Sequence, residues 1–474
     1  LAFSNQPLFS ETEMKKILLS AALLIAMSFS SCKQFLDVKP TDLLVEDLAL
    51  VTHAEFVSAL NGAYAGLVSG SYYGGNFMAL ADVPADNLKF GPGATGLYQF
   101  LYNLNYATDT NDFEEFYQQA YLAVYRANLI LGKLDASELT PAQKSQIRSE
   151  CLMIRALAHH DLVRVFAQRY DATADGSHDG IAIKTDVSLL PPPRNSIKEV
   201  YTQIIADINA ALPTLPTIGV TRFSQRSANA LRARVALYMR DWTTAETFAT
   251  TAITGGPVLA TGTAYTDMWA GSGTAAGESI FKFTMPVGFA ALGGNYWNLA
   301  AGNDFFAPTE DIRTLYDGTD IRLSSFISLH TSGAPGRYIV KKYEGILVNP
   351  GLADIKVIRT SEMYLIRAEA RARKSSPDEV GALADLNAVR TARVASTGTE
   401  TGASLITGIS IERRKEFFLE GHRWFDLKRD QQAVVRIDCN AAACTLPASS
   451  YRFTFPIPQA ELFANKNMKQ NPGY

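Results

Sequence analysis

The sequence predicts a mostly α fold: about four tetratricopeptide-like helical pairs forming a scaffold, with long loop regions and a few short β-strands. Three observations carry this expectation. A helix-start signal recurs, in which Thr52/Glu55, Thr140/Gln143, Ser196/Glu199 and Ser376/Glu379 each set a hydroxyl three residues before a Glu or Gln, the spacing of a capping box. Apolar residues follow at helical spacing. Two stretches of roughly thirty residues, "SANALRARVALYMRDWTTAETFATTAI" and "SEMYLIRAEARARKSSPDEVGALADLNAVRTARV", read as helix, short turn, helix with alanines at packing positions, and such units bury their apolar faces only by stacking.

Taken in order, the first helix after Thr52 carries Phe56, Leu60, Ala63 and Leu67 on one face. A second, after Asp112, carries Phe116, Ala120, Val124, Ala127 and Leu131. The third runs from Pro141 through "IRSECLMIRALAHHDLVRVFAQ", and the fourth, after Ser196, carries Val200, Ile204, Ile208 and Leu212 and stops at Pro213. The two helix-turn-helix stretches complete the set. Loop regions occupy about 70 to 110, 169 to 194, 255 to 358 and 431 to 460, with small strands at "SIFKFTM" and "RYIVKKY". Loops of this length on a rigid scaffold are usually functional.

Composition narrows the function. The 474 residues hold 44 basic and 47 acidic side chains for a formal charge of -3, which gives no footing to nucleic-acid binding through a basic surface. Near the start, Lys15 and Lys16 precede an apolar run from Ile17 to Met27, and Phe29, Ser30 and Ser31 lead to Cys32. The run is shorter than the roughly 20 residues a membrane helix needs and reads as an export signal that begins at Met14. Residues 1–13 read as a start-site artefact. Cleavage before Cys32 resembles the bacterial lipoprotein pattern, although Phe29 departs from the aliphatic residue usual at that place. Cys32 is therefore the expected lipid anchor. Cys151 reads as a small buried side chain. Cys439 and Cys444, in "DCNAAACT", are either a local disulfide or two free thiols.

"SIERRKEFFLEGHRWFDLKRD", Ser410 to Asp430, is the most distinctive stretch. Phe417, Phe418, Trp424 and Phe425 are expected in a core, Arg413 and Glu416 are placed to pair along a helix, and Gly421 is expected to break the element before His422. This stretch, the closing "FPIPQAELFANKNMKQNPGY", the early "FLDVKPTD" and "RALAHHDLVRVFA" together resemble the SusD/RagB outer-membrane lipoproteins. Lys466 departs from the proline that the family often has after Asn465. The resemblance implies a signal peptide over 14–31 and a single domain over 32–474, with an N-terminal part of about 32–220 and a C-terminal part of about 221–474. It also implies lipid anchoring at the outer membrane, glycan binding or, in some branches, peptide binding, and a TonB-dependent SusC/RagA-type transporter as partner; no cofactor is expected, since the sequence has no compact EF-hand-type carboxylate run.

Two loop regions concentrate aromatics among Gly, Asn and Asp. The first offers Tyr72, Tyr73, Phe77, Asp82, Asn87, Tyr98 and Tyr102; the second offers Phe289, Asn295, Tyr296, Trp297, Asn303 and Asp304, with Trp269 upstream. Flat rings cover the CH face of a sugar while amides and carboxylates satisfy its hydroxyl rim, and rings bring contact area at low rotamer entropy. The competing reading is that these rings pin the loops to the helices. Catalysis has little footing: H-E-x-x-H, G-x-S-x-G and G-x-x-x-x-G-K-[ST] do not occur, and His159 and His160, adjacent on a helix, point about 100 degrees apart. A lipid-anchored glycosidase would need paired carboxylates such as Asp82 with Asp86 or Asp304 with Glu310.

Overall fold

A computed structural model describes residue 12 and residues 50–288, 291–298, 302–330 and 336–474. The signal segment, Cys32 and Phe289 lie outside the described residues. Helices dominate. α1 (His53–Leu67), α2 (Asn76–Asp82), α3 (Asn111–Leu134), α4 (Pro141–Phe166), α5 (Ile197–Ala211), α6 (Gln225–Met239), α7 (Trp242–Ile253), α8 (Thr360–Arg373), α9 (Glu379–Ala392), α10 (Gly402–Glu416) and α11 (Arg423–Arg429) follow one another along the chain. α1 packs on α3, α4 on α5, α6 on α7 and α8 on α9, while α3 and α4, and α7 and α8, join successive pairs. These are the expected four couples.

Three of the four expected caps form as reciprocal boxes, at Thr52, Thr140 and Ser196. The fourth does not. Asp378, not Ser376, caps α9 by accepting the N–H of Gly381, because a carboxylate two residues nearer the helix serves the same orphan donors. Phe56, Leu60, Ala63 and Leu67 are buried as expected; in α3, Ile130 rather than Leu131 faces the core. α4 is buried through nearly its whole second half, His159 and His160 included. Desolvation pushes the His159 imidazole down to about 3, so it is neutral in the fold.

The long segments between couples carry short antiparallel pairs. β1 (Leu88–Phe90) pairs with β5 (Phe306–Pro308), β2 (Ser279–Phe283) with β8 (Ile355–Arg359), β3 (Trp297–Asn298) with β4 (Asn303–Asp304), and β6 (Ile327–His330) with β7 (Arg337–Val340). The sequence signals find β2 and β7. Their partners, β8 and β6, are missed because Ile355–Arg359 runs straight into α8 and Ile327–His330 straight out of a short helix, so each has turn residues on one side only.

The C-terminal signature holds a correction. Arg413 does not pair with Glu416 along α10. It reaches Asp426 of α11 at 3.1 Å, and Glu416 turns instead to Arg322, Arg359 and Arg393 at 3.0, 2.7 and 2.7 Å. The chain break between α10 and α11 is at Gly421, whose φ of 79° suits a residue without Cβ. Cys439 and Cys444 form a disulfide with Cα atoms 5.6 Å apart, and Cys151 is free and buried.

Candidate functional site

Most of the aromatic residues expected to meet a ligand are turned inward. Tyr72 and Tyr73 stack on each other, and both hydroxyls donate to the buried Asp161 of α4, at 2.7 and 2.8 Å. Phe77 lies against Phe116 and Phe425. Asp82 accepts the Gly421 N–H at 2.9 Å, and Asn87 accepts from Arg414 at 2.8 Å. Tyr98 donates to Asn76 and accepts from Asn295. Trp269 lies under the Lys342 ammonium at 4.0 Å, Tyr296 is fully buried, and Trp297, 3% exposed, meets the His330 ring. The physical reason is that long loops without their own core must bury rings against the scaffold to offset the entropy of being held. Of the expected residues, Asn303 is exposed and Asn295 half-exposed, while Tyr98 has a side turned to a cavity.

The structure brings a different set together. A cavity of about 550 Å³ opens where β1, β5 and β7 meet the disulfide loop, lined by Phe90, Pro92, Pro308 and Tyr338 with Lys89, Asp304, Glu310, Arg313, Arg337, Asp438 and Asn440. β1 sets its floor: Phe90 packs on Tyr102 and Phe306, with centroids 4.2 and 5.5 Å apart. The chain then passes so close to β4 that a Cβ on Gly91 would lie 2.3 Å from the Asp304 carbonyl oxygen. Asn440, held in the loop closed by Cys439 and Cys444, accepts from the Phe90 N–H and from the Tyr102 hydroxyl, and donates to the Phe90 carbonyl at 2.9 Å. Tyr338, half-exposed, carries the Arg313 guanidinium 4.6 Å above its ring.

Each charge lining this cavity has an opposite neighbour. Lys89 meets Asp438 at 2.6 Å, Arg337 meets Asp304 at 3.3 Å, and Arg313 meets Glu310. Burial alone would raise the Asp438 carboxyl, but Lys89 and the Glu310 N–H outweigh it and hold it below its ordinary range. Burial raises Asp304. The result is an apolar floor under a polar, charge-balanced rim, a surface that suits a neutral polyhydroxylated molecule better than an ion.

A second cavity, of about 490 Å³, is lined by the chain that follows β1. Leu97, Tyr98, Gln99 and Phe100 line it with Asn105, Asp109, Asn111 and Asp112, and Phe100 is 56% exposed. Burial, then the Glu115 charge, raises Asp112 to about 6. Carboxylates imagined as a catalytic pair are committed elsewhere: Asp86 to Arg423 at 2.6 Å, Asp82 to the Gly421 turn, Asp304 and Glu310 to their arginines. Among the described residues no group of His, Cys, Asp and Glu is placed to hold a metal ion.

Phe90, Tyr338 and Asn440 line this cavity and are not among the residues expected from the sequence. The available signal was the cysteine pair, which fixes the one asparagine between its thiols against β1. A single Asn and two isolated rings spread over 350 positions carry no local pattern.

Stacked helix couples presenting a charge-balanced, ring-floored cavity on loops define a binding protein of the helical-repeat class, and comparison with known proteins gives its family. The SusD family profile matches residues 336–474, and a family described as starch-binding associating with outer membrane matches residues 34–237. The SusD-like protein P38 of Formosa agariphila is 24% identical across 98% of this chain and 100% of its own length. The starch-binding protein SusD of Bacteroides thetaiotaomicron is 35% identical over 26% of this chain and 22% of that protein. A solved SusD superfamily structure from the same species is 25% identical, with a TM-score of 0.79 and coverage of 89% of this chain and 100% of that one. The chain belongs to the SusD/RagB family. No helix among the described residues is long and apolar enough to cross a membrane.

Proposed function

We propose that this protein is a non-catalytic glycan-binding lipoprotein of the outer-membrane surface, anchored through Cys32, that passes oligosaccharide to a TonB-dependent transporter of the SusC/RagA type. The observation that carries the glycan reading is the cavity over Phe90 and Tyr338, where rings and prolines offer a face to sugar CH groups. Lys89, Asp438 and Asn440 offer donors and acceptors at its edge. The starch-binding name of the Bacteroides thetaiotaomicron relative supports the same ligand class.

The experiment is a screen of plant, algal and microbial oligosaccharides by isothermal titration, with the same mixtures assayed for new reducing ends. Saturable binding without new ends supports a carrier; turnover overturns the non-catalytic reading. Release of a Cys32→Ala variant from the membrane fraction supports the anchor.

A second reading, peptide capture, is favoured by one feature. A groove of about 480 Å³ runs along Tyr117, Tyr121 and Tyr125 of α3 beneath Leu189, Leu190 and Pro191, and it is more apolar than a sugar site needs. Binding of short apolar peptides with no glycan binding would select it.

A further inference from the structure

The C-terminus of α4 holds a cluster that shares no residue with the cavity over Phe90. Lys428, on α11, donates from Nζ to the carbonyls of Arg164 (2.9 Å) and Ala167, capping the unpaired carbonyls with which a helix ends. Two of its three N–H donors are spent this way. It makes no ion pair among the described residues. Desolvation, then the nearby Arg164, pushes its ammonium down to about 7, as expected where a cation is buried without a counter-charge.

Beside it stands Arg169, 2.8 Å from Asp171. That carboxylate also serves Arg240, at 3.1 Å, so one acid is divided between two guanidiniums. Lys428 and Arg169 line a cavity of about 270 Å³ whose other walls include Ser449, Ser450, Thr454 and Gln168, and no Asp or Glu lines it. The Ser450 oxygen accepts the Arg452 N–H, which leaves its O–H proton to donate. The contrast with the cavity over Phe90 is one of charge: there every cation has its own acid, and here the lining cations outnumber the lining acids.

We infer that this cavity binds an oxyanion, the carboxylate or sulfate ester of an acidic sugar. Lys428 supplies an ammonium, Arg169 the N–H edge of its guanidinium and Ser450 a hydroxyl donor. Guanidinium and ammonium groups recognise such oxygens through short charge-assisted hydrogen bonds. A bound anion would also return to Lys428 the counter-charge it lacks. That a sugar carries the oxyanion rests on the glycan reading; that the cavity takes an oxyanion at all does not, and inorganic sulfate alone probes it.

The test is calorimetric titration of the whole protein with sodium sulfate, sodium glucuronate and glucose, at constant ionic strength in chloride. Saturable binding of sulfate or glucuronate is expected, stronger at pH 6 than at pH 8, and at least tenfold weaker in Arg169→Gln and in Lys428→Met. Sulfate alone assigns a sulfated ligand, and glucuronate alone a uronic one. Arg169→Gln removes no helix cap and is expected to keep the wild-type unfolding midpoint, so it remains decisive if Lys428→Met fails to fold. No saturable binding of either anion, undiminished binding in Arg169→Gln, or glucose binding as tightly as glucuronate would overturn the proposal.

Discussion

Glu416 Oε1 lies 2.7 Å from Arg393 Nη2, with both side chains fully withdrawn from water. The contact ties the end of α9 to the end of α10, and the same carboxylate holds Arg322 and Arg359. Arg322 sits on the short helix that leads into β6 and β7, the hairpin carrying Tyr338. The buried charges thus couple the helical scaffold to one wall of the cavity.

Removing Glu416 is expected to be severe. Glu416→Ala leaves three buried guanidiniums short of a counter-charge, and breaking a buried ion pair from one side costs about 3–5 kcal/mol. The drop should appear in the urea midpoint. Burial alone would raise this carboxyl, but Arg393, Arg359 and Arg322 hold it well below its ordinary 4.5. Its stabilisation is therefore complete above that pH and fades as the solution is acidified below it. A midpoint that does not change in Glu416→Ala would contradict this account of the network.

Trp297→Ala is expected to act on stability and not directly on ligand. The ring is buried beside His330, and truncating a buried aromatic costs about 3–5 kcal/mol. Differential scanning calorimetry should show a lowered midpoint. Weakened glycan binding with an unmoved midpoint would return Trp297 to the site.

Asp82 predicts a pH effect of opposite sign to Glu416. Desolvation raises its carboxyl from 3.8 to about 7, and Oδ1 has no hydrogen-bond partner among the described residues. The folded protein therefore keeps a proton, between about pH 4 and 7, that the unfolded chain gives up, so stability falls as pH rises through that window. Asp82→Asn keeps an acceptor for the Gly421 N–H and cannot ionise. It should be the more stable protein at pH 8, with the gap closing toward pH 5. Parallel profiles for the two proteins would contradict the assignment.

The helical couples were legible because capping and periodicity are local: Thr52, Thr140 and Ser196 announce their helices within four residues. Ser376 misleads only because Asp378 offers the same chemistry closer in. The site was less legible, for a physical reason. Tyr72, Tyr73 and Trp297 look like ligand-facing rings in a loop, yet which way a loop ring turns is decided by distant partners such as Asp161, 88 positions from Tyr73. The network around Glu416 hid likewise, because Arg413 satisfies the helical pairing rule on paper while Asp426 takes it in the fold.

The central claim is that ligand lies over Phe90 and Tyr338, and the most direct measurement is calorimetric titration of a bound oligosaccharide into wild-type protein and Tyr338→Ala. Tyr338 is half-exposed, so its truncation should leave the unfolding midpoint nearly unchanged while weakening binding about tenfold, near the 1.4 kcal/mol of a single ring contact. Equal affinities in the two proteins would place the ligand elsewhere.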